Sequence, residues 1–128
     1  MTEEEIPAKT ILVVEDDERI GVFLAEAISQ ETAYHPLLVS DGFEALRVTR
    51  DIRPSLFLLD YRLPRMDGVE LYDRLHAREE LETIPAIVVS ANLPLHELTK
   101  RGLAGLKKPF DLDQLLETVE KTIAQSEE

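Results

Sequence analysis

Short apolar runs alternate with amphipathic segments five times along the 128 residues, and this alternation constrains the fold more than any other feature. The runs at residues 11–14, 56–59 and 86–89 contain only apolar side chains. Such runs are typical of parallel strands that are covered on both faces. We therefore predict an α/β domain in which helices cover both faces of a parallel sheet. The predicted strands are residues 11–14, 37–39, 56–60, 86–89 and 103–106.

The segments between the strands place apolar residues at helical spacing. The first helix is predicted at residues 17–30, the second after the turn at 40–42, and the third from Val69 onwards. Asp111 and Gln114 form a possible capping box for the last helix. The fourth helix has room only at residues 94–101, so we expect it to be short or irregular.

Acidic residues follow two of the predicted strands directly. Glu15 and Asp16 come after the first strand and Asp60 ends the third, while Lys107 and Lys108 follow the fifth. The carboxyl ends of parallel strands are where ligands bind in such sheets. Carboxylates gathered there raise one another's pKa unless a cation that prefers oxygen ligands neutralises them. This arrangement predicts a site for Mg²⁺ and phosphate, with either lysine as the cationic partner.

Composition excludes several other classes of protein. A formal net charge of −12 disfavours direct binding to nucleic acid or to anionic membranes, which both require a basic surface. The chain has no cysteine and no long apolar stretch, which excludes disulfides, thiolate metal sites and a membrane span. Its acidic start is unlike a signal peptide, so we expect a cytoplasmic protein. We predict one domain, with a core at about residues 9–124 and flexible residues 1–8 and 125–128.

Five short segments together give the chain a resemblance to the receiver domain of two-component response regulators. The resemblance extends over nearly the whole chain, and its order and spacing make it specific. It implies a flavodoxin-like, doubly wound sheet with strand order 2-1-3-4-5 and five helices. The matching segments, at residues 11–18, 41–46, 59–68, 88–91 and 108–110, are ILVVEDDE, DGFEAL, LDYRLPRMDG, VVSA and KPF.

The resemblance implies a role for each residue of the predicted site. Asp60 would accept the phosphoryl group, and Asp16, Asp60 and the backbone carbonyl of Arg62 would hold Mg²⁺. Glu15 would reach the metal mainly through bound water. Lys108 and Ser90 would bind the phosphoryl oxygens, and the family's peptide bond between this lysine and the next proline is cis.

Other polar residues have simpler interpretations. Asp17 and Glu18 are expected to interact with the dipole of the first helix. Asp41, Asp67 and Gly68 fit turn and cap chemistry. The three histidines belong to no ligand constellation, and we expect His35, His76 and His96 at the surface.

The chain departs from the family at two points. Gly105 stands three residues before Lys108, where members of the family usually carry an aromatic residue that swings inward on activation. Lys108 also follows Ser90 by only 18 positions. This spacing is shorter than the family norm by about one helical turn, which again points to a reduced fourth helix.

These observations predict a single-domain response regulator. It would take its phosphoryl group from a histidine kinase or a histidine phosphotransfer protein and act on a separate downstream protein, docked on the face of helix 4, strand 5 and helix 5. It would catalyse only its own phosphorylation and dephosphorylation. The first alternative is a receiver-like scaffold that signals without phosphorylation. The second is a Mg²⁺-dependent phosphohydrolase of the haloacid-dehalogenase type, which is disfavoured because such enzymes need an aspartate where this chain has Arg62.

Overall fold

The computed structural model describes residues 9–127, and its helices and strands follow the predicted order. The five strands are parallel and lie in the order β2-β1-β3-β4-β5, which confirms the predicted doubly wound sheet. A single turn of 3₁₀ helix at Glu79–Leu81, before β4, was not predicted. The strands are β1 (Thr10–Val14), β2 (His35–Val39), β3 (Leu56–Asp60), β4 (Ala86–Ser90) and β5 (Ala104–Lys107), and the helices are α1 (Glu18–Glu31), α2 (Gly42–Val48), α3 (Gly68–His76), α4 (Leu95–Arg101) and α5 (Leu112–Ser126).

Two apolar layers flank the sheet, because successive side chains of a strand point to opposite faces. Ile11 and Val13 of β1 pack with α1 and α5, whereas Leu12 and Val14 pack with α2 and α3. The same alternation holds for β3, where all five residues are buried. A third, smaller cluster lies under α4 and consists of Val69, Val88 and Leu98 with their neighbours.

Several predicted boundaries shift by a few residues. β2 begins at His35 because Thr10 pairs with His35 and extends the parallel register. β5 begins at Ala104, opposite Ile87. α5 continues to Ser126, so the helix extends two residues beyond the predicted core. Ile123 in the preceding turn still packs against the core, which supports the helix this far. Residues 1–8 and 128 lie outside the described residues.

Aspartates begin four of the helices, as the sequence predicted for cap chemistry. The side chain of Asp17 accepts hydrogen bonds from Arg19 and Ile20 at the start of α1. Asp41 and Asp67 accept one bond each, at the starts of α2 and α3. The capping box of Asp111 and Gln114 is formed at α5. Each such bond satisfies an amide that has no partner within its helix.

The fourth helix is short, as predicted, and its two ends are held differently. Arg101 in its last turn binds Asp73 of α3 through two hydrogen bonds of 2.7 and 2.8 Å. Gly102 follows with φ of 66°, a left-handed conformation that suits glycine at a helix end. At the other end, Pro94 occupies the N-cap and provides no side-chain hydrogen bond.

The prediction for the histidines is correct for His35 and His96, which are exposed, and wrong for His76. His76 is half-buried at the end of α3, where its ring centroid lies 3.9 Å from that of Tyr72. Its Nε2 atom lies 2.8 Å from the carbonyl oxygen of Ile84. The chain folds back over this ring on its way into β4, which no pattern local to His76 indicates. None of the described helices has the length and hydropathy needed to cross a membrane.

Candidate functional site

The carboxyl ends of β1, β3, β4 and β5 bring the predicted site residues to one edge of the sheet. Asp60 is the last residue of β3 and pairs with Val89. Ser90 is the last residue of β4 and pairs with Lys107. Lys108, the first residue after β5, donates its amide hydrogen to the carbonyl oxygen of Ser90 at 2.9 Å. The parallel register therefore places groups from four separate parts of the chain side by side.

Three carboxylates form the centre of this edge. Glu15, Asp16 and Asp60 each offer one oxygen, and these oxygens lie within 4.8 Å of one another. Glu15 and Asp60 are 3% and 5% exposed, whereas Asp16 is open to solvent. A set of three hard oxygen donors with one open side fits a small divalent cation such as Mg²⁺, which binds to a few carboxylates and retains waters.

The pKa of Glu15 is raised to about 7, mainly by burial and further by the charge and hydrogen bonding of the nearby Asp60 carboxylate. A hydrogen bond from the amide of Asp17 opposes this shift, as does the charge of Lys108. The site therefore holds more negative charge than its burial favours. A bound cation would remove this cost, because it compensates the carboxylates directly.

Lys108 supplies the positive charge in this part of the structure. Its Nζ atom lies 3.2 Å from Asp60 and 3.4 Å from Glu15. Burial lowers the pKa of Lys108, but attraction to the two carboxylates outweighs it and leaves that pKa raised. Lys107, the other candidate, is exposed. The peptide bond between Lys108 and Pro109 is cis, as the resemblance implied.

The hydroxyl of Ser90 is buried beside these charged groups. It donates a hydrogen bond to the carbonyl oxygen of Asn92 and accepts one from the amide of Asn92, both at 3.1 Å. A cavity of about 260 Å³ lies in front of it, and Asp60, Arg62, Asn92 and Lys108 contribute to its walls. The cavity gives a small anion access to both the carboxylate of Asp60 and the ammonium group of Lys108.

Gly68 supports the site in a way that the sequence analysis missed. A Cβ atom at this position would lie 2.5 Å from the backbone oxygen of Asp60. The amide of Gly68 also donates a hydrogen bond of 2.8 Å to the carbonyl of Tyr61. Only a residue without a side chain lets α3 start this close to the end of β3. The turn pattern around Gly68 predicted a turn but not this approach.

Comparison with known proteins agrees with the fold. The family model described as "Response regulator receiver domain" matches residues 11–120. Sporulation initiation phosphotransferase F of Bacillus subtilis is 31% identical over 113 residues, which cover 87% of this chain and 90% of that protein. Hybrid signal transduction histidine kinase D of Dictyostelium discoideum is 34% identical over 114 residues, 85% of this chain, but the match spans only 7% of the kinase.

A solved structure shows the same architecture. The CheY-like response regulator receiver domain protein of Methanospirillum hungatei superposes with a TM-score of 0.84 at 26% identity, over 94% of this chain and 98% of that one. The match to the family model extends from β1 into α5 and includes all the strand ends that form the site. The chain therefore belongs to the family of response regulator receiver domains.

Proposed function

We propose that this chain accepts a phosphoryl group on Asp60 in a Mg²⁺-dependent step and signals through a phosphorylation-controlled interaction with another protein. The observation that carries the proposal is the pairing of the buried Asp60 carboxylate with Lys108 at 3.2 Å, next to two further carboxylates. Receiver domains as a class are signalling domains that bind Mg²⁺ at an acidic site, and the cluster of this chain fits that chemistry.

Asp60 would act as the nucleophile. One of its carboxylate oxygens attacks the phosphorus of a phosphohistidine, the bond between phosphorus and the imidazole nitrogen breaks, and an acyl phosphate forms. The leaving imidazole keeps the electron pair of that bond. We assign Asp16, Asp60 and the backbone carbonyl of Arg62 as direct ligands of Mg²⁺, with Glu15 acting through bound water. When bound, the ion offsets the repulsion between the phosphoryl oxygens and the carboxylates.

Lys108 and Ser90 would hold the transferred group. The ammonium of Lys108 already lies against Asp60 and can move to a phosphoryl oxygen without crossing the site. Ser90 can turn its hydroxyl from Asn92 towards the same group, because both residues line the cavity in front of Asp60. Such charge-assisted hydrogen bonds are stronger than those between neutral groups.

A histidine kinase or a histidine phosphotransfer protein would supply the phosphoryl group in the cytoplasm. The printed names of two relatives, a phosphotransferase and a hybrid histidine kinase, support this class of partner. For the downstream protein we propose the face formed by α4, β5 and α5. That face borders Lys108 and the loop after Ser90, so changes at the site reach it through few residues.

Intact-protein mass after incubation with acetyl phosphate and Mg²⁺ tests this proposal. We expect one added phosphoryl group on the natural chain, none on Asp60→Asn, and none when a chelator removes the metal. An adduct that persists in Asp60→Asn would contradict the assignment of Asp60.

One structural feature favours a second candidate, a receiver-like scaffold that works without phosphorylation. Gly105 leaves β5 without the aromatic side chain that the family usually carries there. If the natural chain gains no phosphoryl group and a beryllofluoride mimic leaves its NMR spectrum unchanged, the scaffold becomes the better description.

A further inference from the structure

Two leucines occupy the space above Gly105 on β5. A Cβ atom on Gly105 would lie 2.9 Å from Cδ1 of Leu98 and 3.1 and 3.3 Å from the two δ carbons of Leu93. The leucine methyl groups therefore fill the volume that a side chain at Gly105 would need. Leu93 is half-buried there and packs against the small cluster under α4.

The hydroxyl of Ser90 is hydrogen-bonded to the backbone next to Leu93. That hydroxyl donates a hydrogen bond to the carbonyl of Asn92, the residue before Leu93, and accepts one from the amide of Asn92. The carbonyl of Leu93 in turn accepts a hydrogen bond of 2.9 Å from the amide of Leu95, the first residue of α4. A continuous set of contacts thus leads from the phosphoryl cavity to the start of α4.

The carboxyl end of α4 is anchored by more side-chain contacts than the amino end. Arg101 fixes the carboxyl end to Asp73, and the amide of Leu103 donates a hydrogen bond of 2.9 Å to the carbonyl of Leu98. The amino end has no side-chain cap and is held by the loop that contains Leu93. We therefore expect a change in that loop to displace the amino end of α4 more easily than the carboxyl end.

We propose that Leu93 transmits the state of Asp60 to α4 and β5, an inference that rests on the proposed function. A serine hydroxyl has one hydrogen to donate. When Ser90 donates it to the phosphoryl group on Asp60, its hydrogen bond to the carbonyl of Asn92 is lost. The loop is then released, Leu93 leaves the space above Gly105, and the amino end of α4 takes a new position.

NMR of the full chain with Mg²⁺ and beryllofluoride, a mimic of the phosphoryl group, tests this relay. In the natural chain we expect amide shift changes around Asp60 and Lys108, and also at Leu98 and Gly105. In Leu93→Ala the shift changes around Asp60 and Lys108 should remain, and most of those at Leu98 and Gly105 should be lost. Leu95→Ala is the matched control, since Leu95 is 66% exposed and lies only two residues away.

The outcomes separate the relay from the function on which it rests. If the mimic changes no shifts around Asp60 in the natural chain, the proposed function fails. If the mimic does change the shifts around Asp60, but Leu93→Ala responds at Gly105 as strongly as the natural chain, only the proposed role of Leu93 is overturned. A loss that Leu95→Ala shares equally would also overturn it, because the effect would then not be specific to Leu93.

Gly105→Ala tests the same contact from the other side, should Leu93→Ala fold poorly. Its methyl group would press on Leu93 and Leu98, whose flexible ends can move. Without beryllofluoride, Gly105→Ala should already have amide chemical shifts at Asn92 and Leu98 that lie closer to those of the natural chain with the mimic bound. Unchanged shifts at Asn92 would contradict the proposal.

Discussion

Lys108 and Lys107 are adjacent residues of the same type, yet their surroundings differ completely. Lys108 lies within 3.4 Å of two buried carboxylates, whereas Lys107 is exposed. The difference arises because successive residues at the end of β5 point to opposite sides. The charge balance of the site therefore depends on one lysine of the pair.

Replacement of each lysine by methionine should separate their roles. Without Mg²⁺, Lys108→Met leaves Glu15 and Asp60 without a cation, and we expect a loss of about 1–3 kcal/mol in the free energy of unfolding. Its phosphorylation by acetyl phosphate should slow by at least about tenfold. Lys107→Met should stay within roughly 0.5 kcal/mol of the natural chain. Urea unfolding and the rate of mass gain measure the two effects, and equal losses in both variants would refute the distinction.

At the scale of the elements, the junction between β3 and α3 decides where Asp60 sits. Asp67 caps α3, and Gly68 starts the helix against the backbone of Asp60. The loop from Tyr61 to Gly68 is closed by one hydrogen bond between these two residues. The helix and the Asp60 carboxylate are thus positioned as one unit.

Gly68→Ala should therefore disturb both stability and phosphorylation. Its methyl group would meet the carbonyl of Asp60, and moving that backbone should cost about 1–3 kcal/mol and slow phosphorylation. Gly102→Ala is the control, because Gly102 has φ of 66° but no neighbouring atom within 4 Å of an added Cβ. It should cost about 1 kcal/mol through backbone strain and leave the phosphorylation rate unchanged. Thermal unfolding and acetyl phosphate kinetics compare the variants, and an unaltered rate in Gly68→Ala would count against the role of Gly68.

α3 also ends on a histidine whose burial makes stability depend on pH. Burial lowers the pKa of His76 below its ordinary value of 6.5, although hydrogen bonding to Ile84 and the charges of Asp73 and Glu82 oppose this. The unfolded chain thus binds a proton more readily than the folded one. The contribution of His76 to stability is complete above pH 6.5 and is lost as pH falls below it towards the folded pKa.

Replacement of His76 should reveal this pH dependence. We expect the loss of unfolding free energy between about pH 7.5 and about pH 5.5 to be smaller in His76→Gln than in the natural chain. Because Glu15 titrates in both proteins, the difference between them isolates His76. The exposed His96 provides the control variant His96→Gln, and urea unfolding at each pH gives the values. Parallel curves for His76→Gln and the natural chain would rule out the effect.

At the scale of the whole molecule, negative charge is in excess, and three carboxylates are clustered at one edge of the sheet. The formal net charge is −12, and two of the three clustered carboxylates are buried. Any salt screens the general repulsion, whereas only an ion bound at the cluster compensates Glu15, Asp16 and Asp60 directly. Stability measurements can distinguish the two effects.

Mg²⁺ should stabilise the folded chain beyond what ionic strength explains. Binding to the folded state alone adds about 2.7 kcal/mol at a concentration 100 times the Kd. We expect the natural chain to melt at a higher temperature in Mg²⁺ than in NaCl of equal ionic strength. This difference should be lost in Asp16→Asn. Asp17→Asn is the matched control, because asparagine still caps α1 and Asp17 lies outside the cluster. Equal melting temperatures in Mg²⁺ and NaCl would exclude a specific site.

The sequence by itself determined the order of helices and strands, the aspartate caps and the placement of Glu15, Asp16, Asp60 and Ser90 at strand ends. These properties follow from hydrophobic periodicity and from contacts within a few residues, both of which are present in a local pattern. Tertiary structure alone decided three others. It brought Gly68 against Asp60, buried His76 under the chain entering β4, and seated Leu93 above Gly105. Each depends on groups that are distant along the chain, or on the side of a strand or helix that a residue occupies. Strand register and helix packing set those distances, and no local pattern contains them.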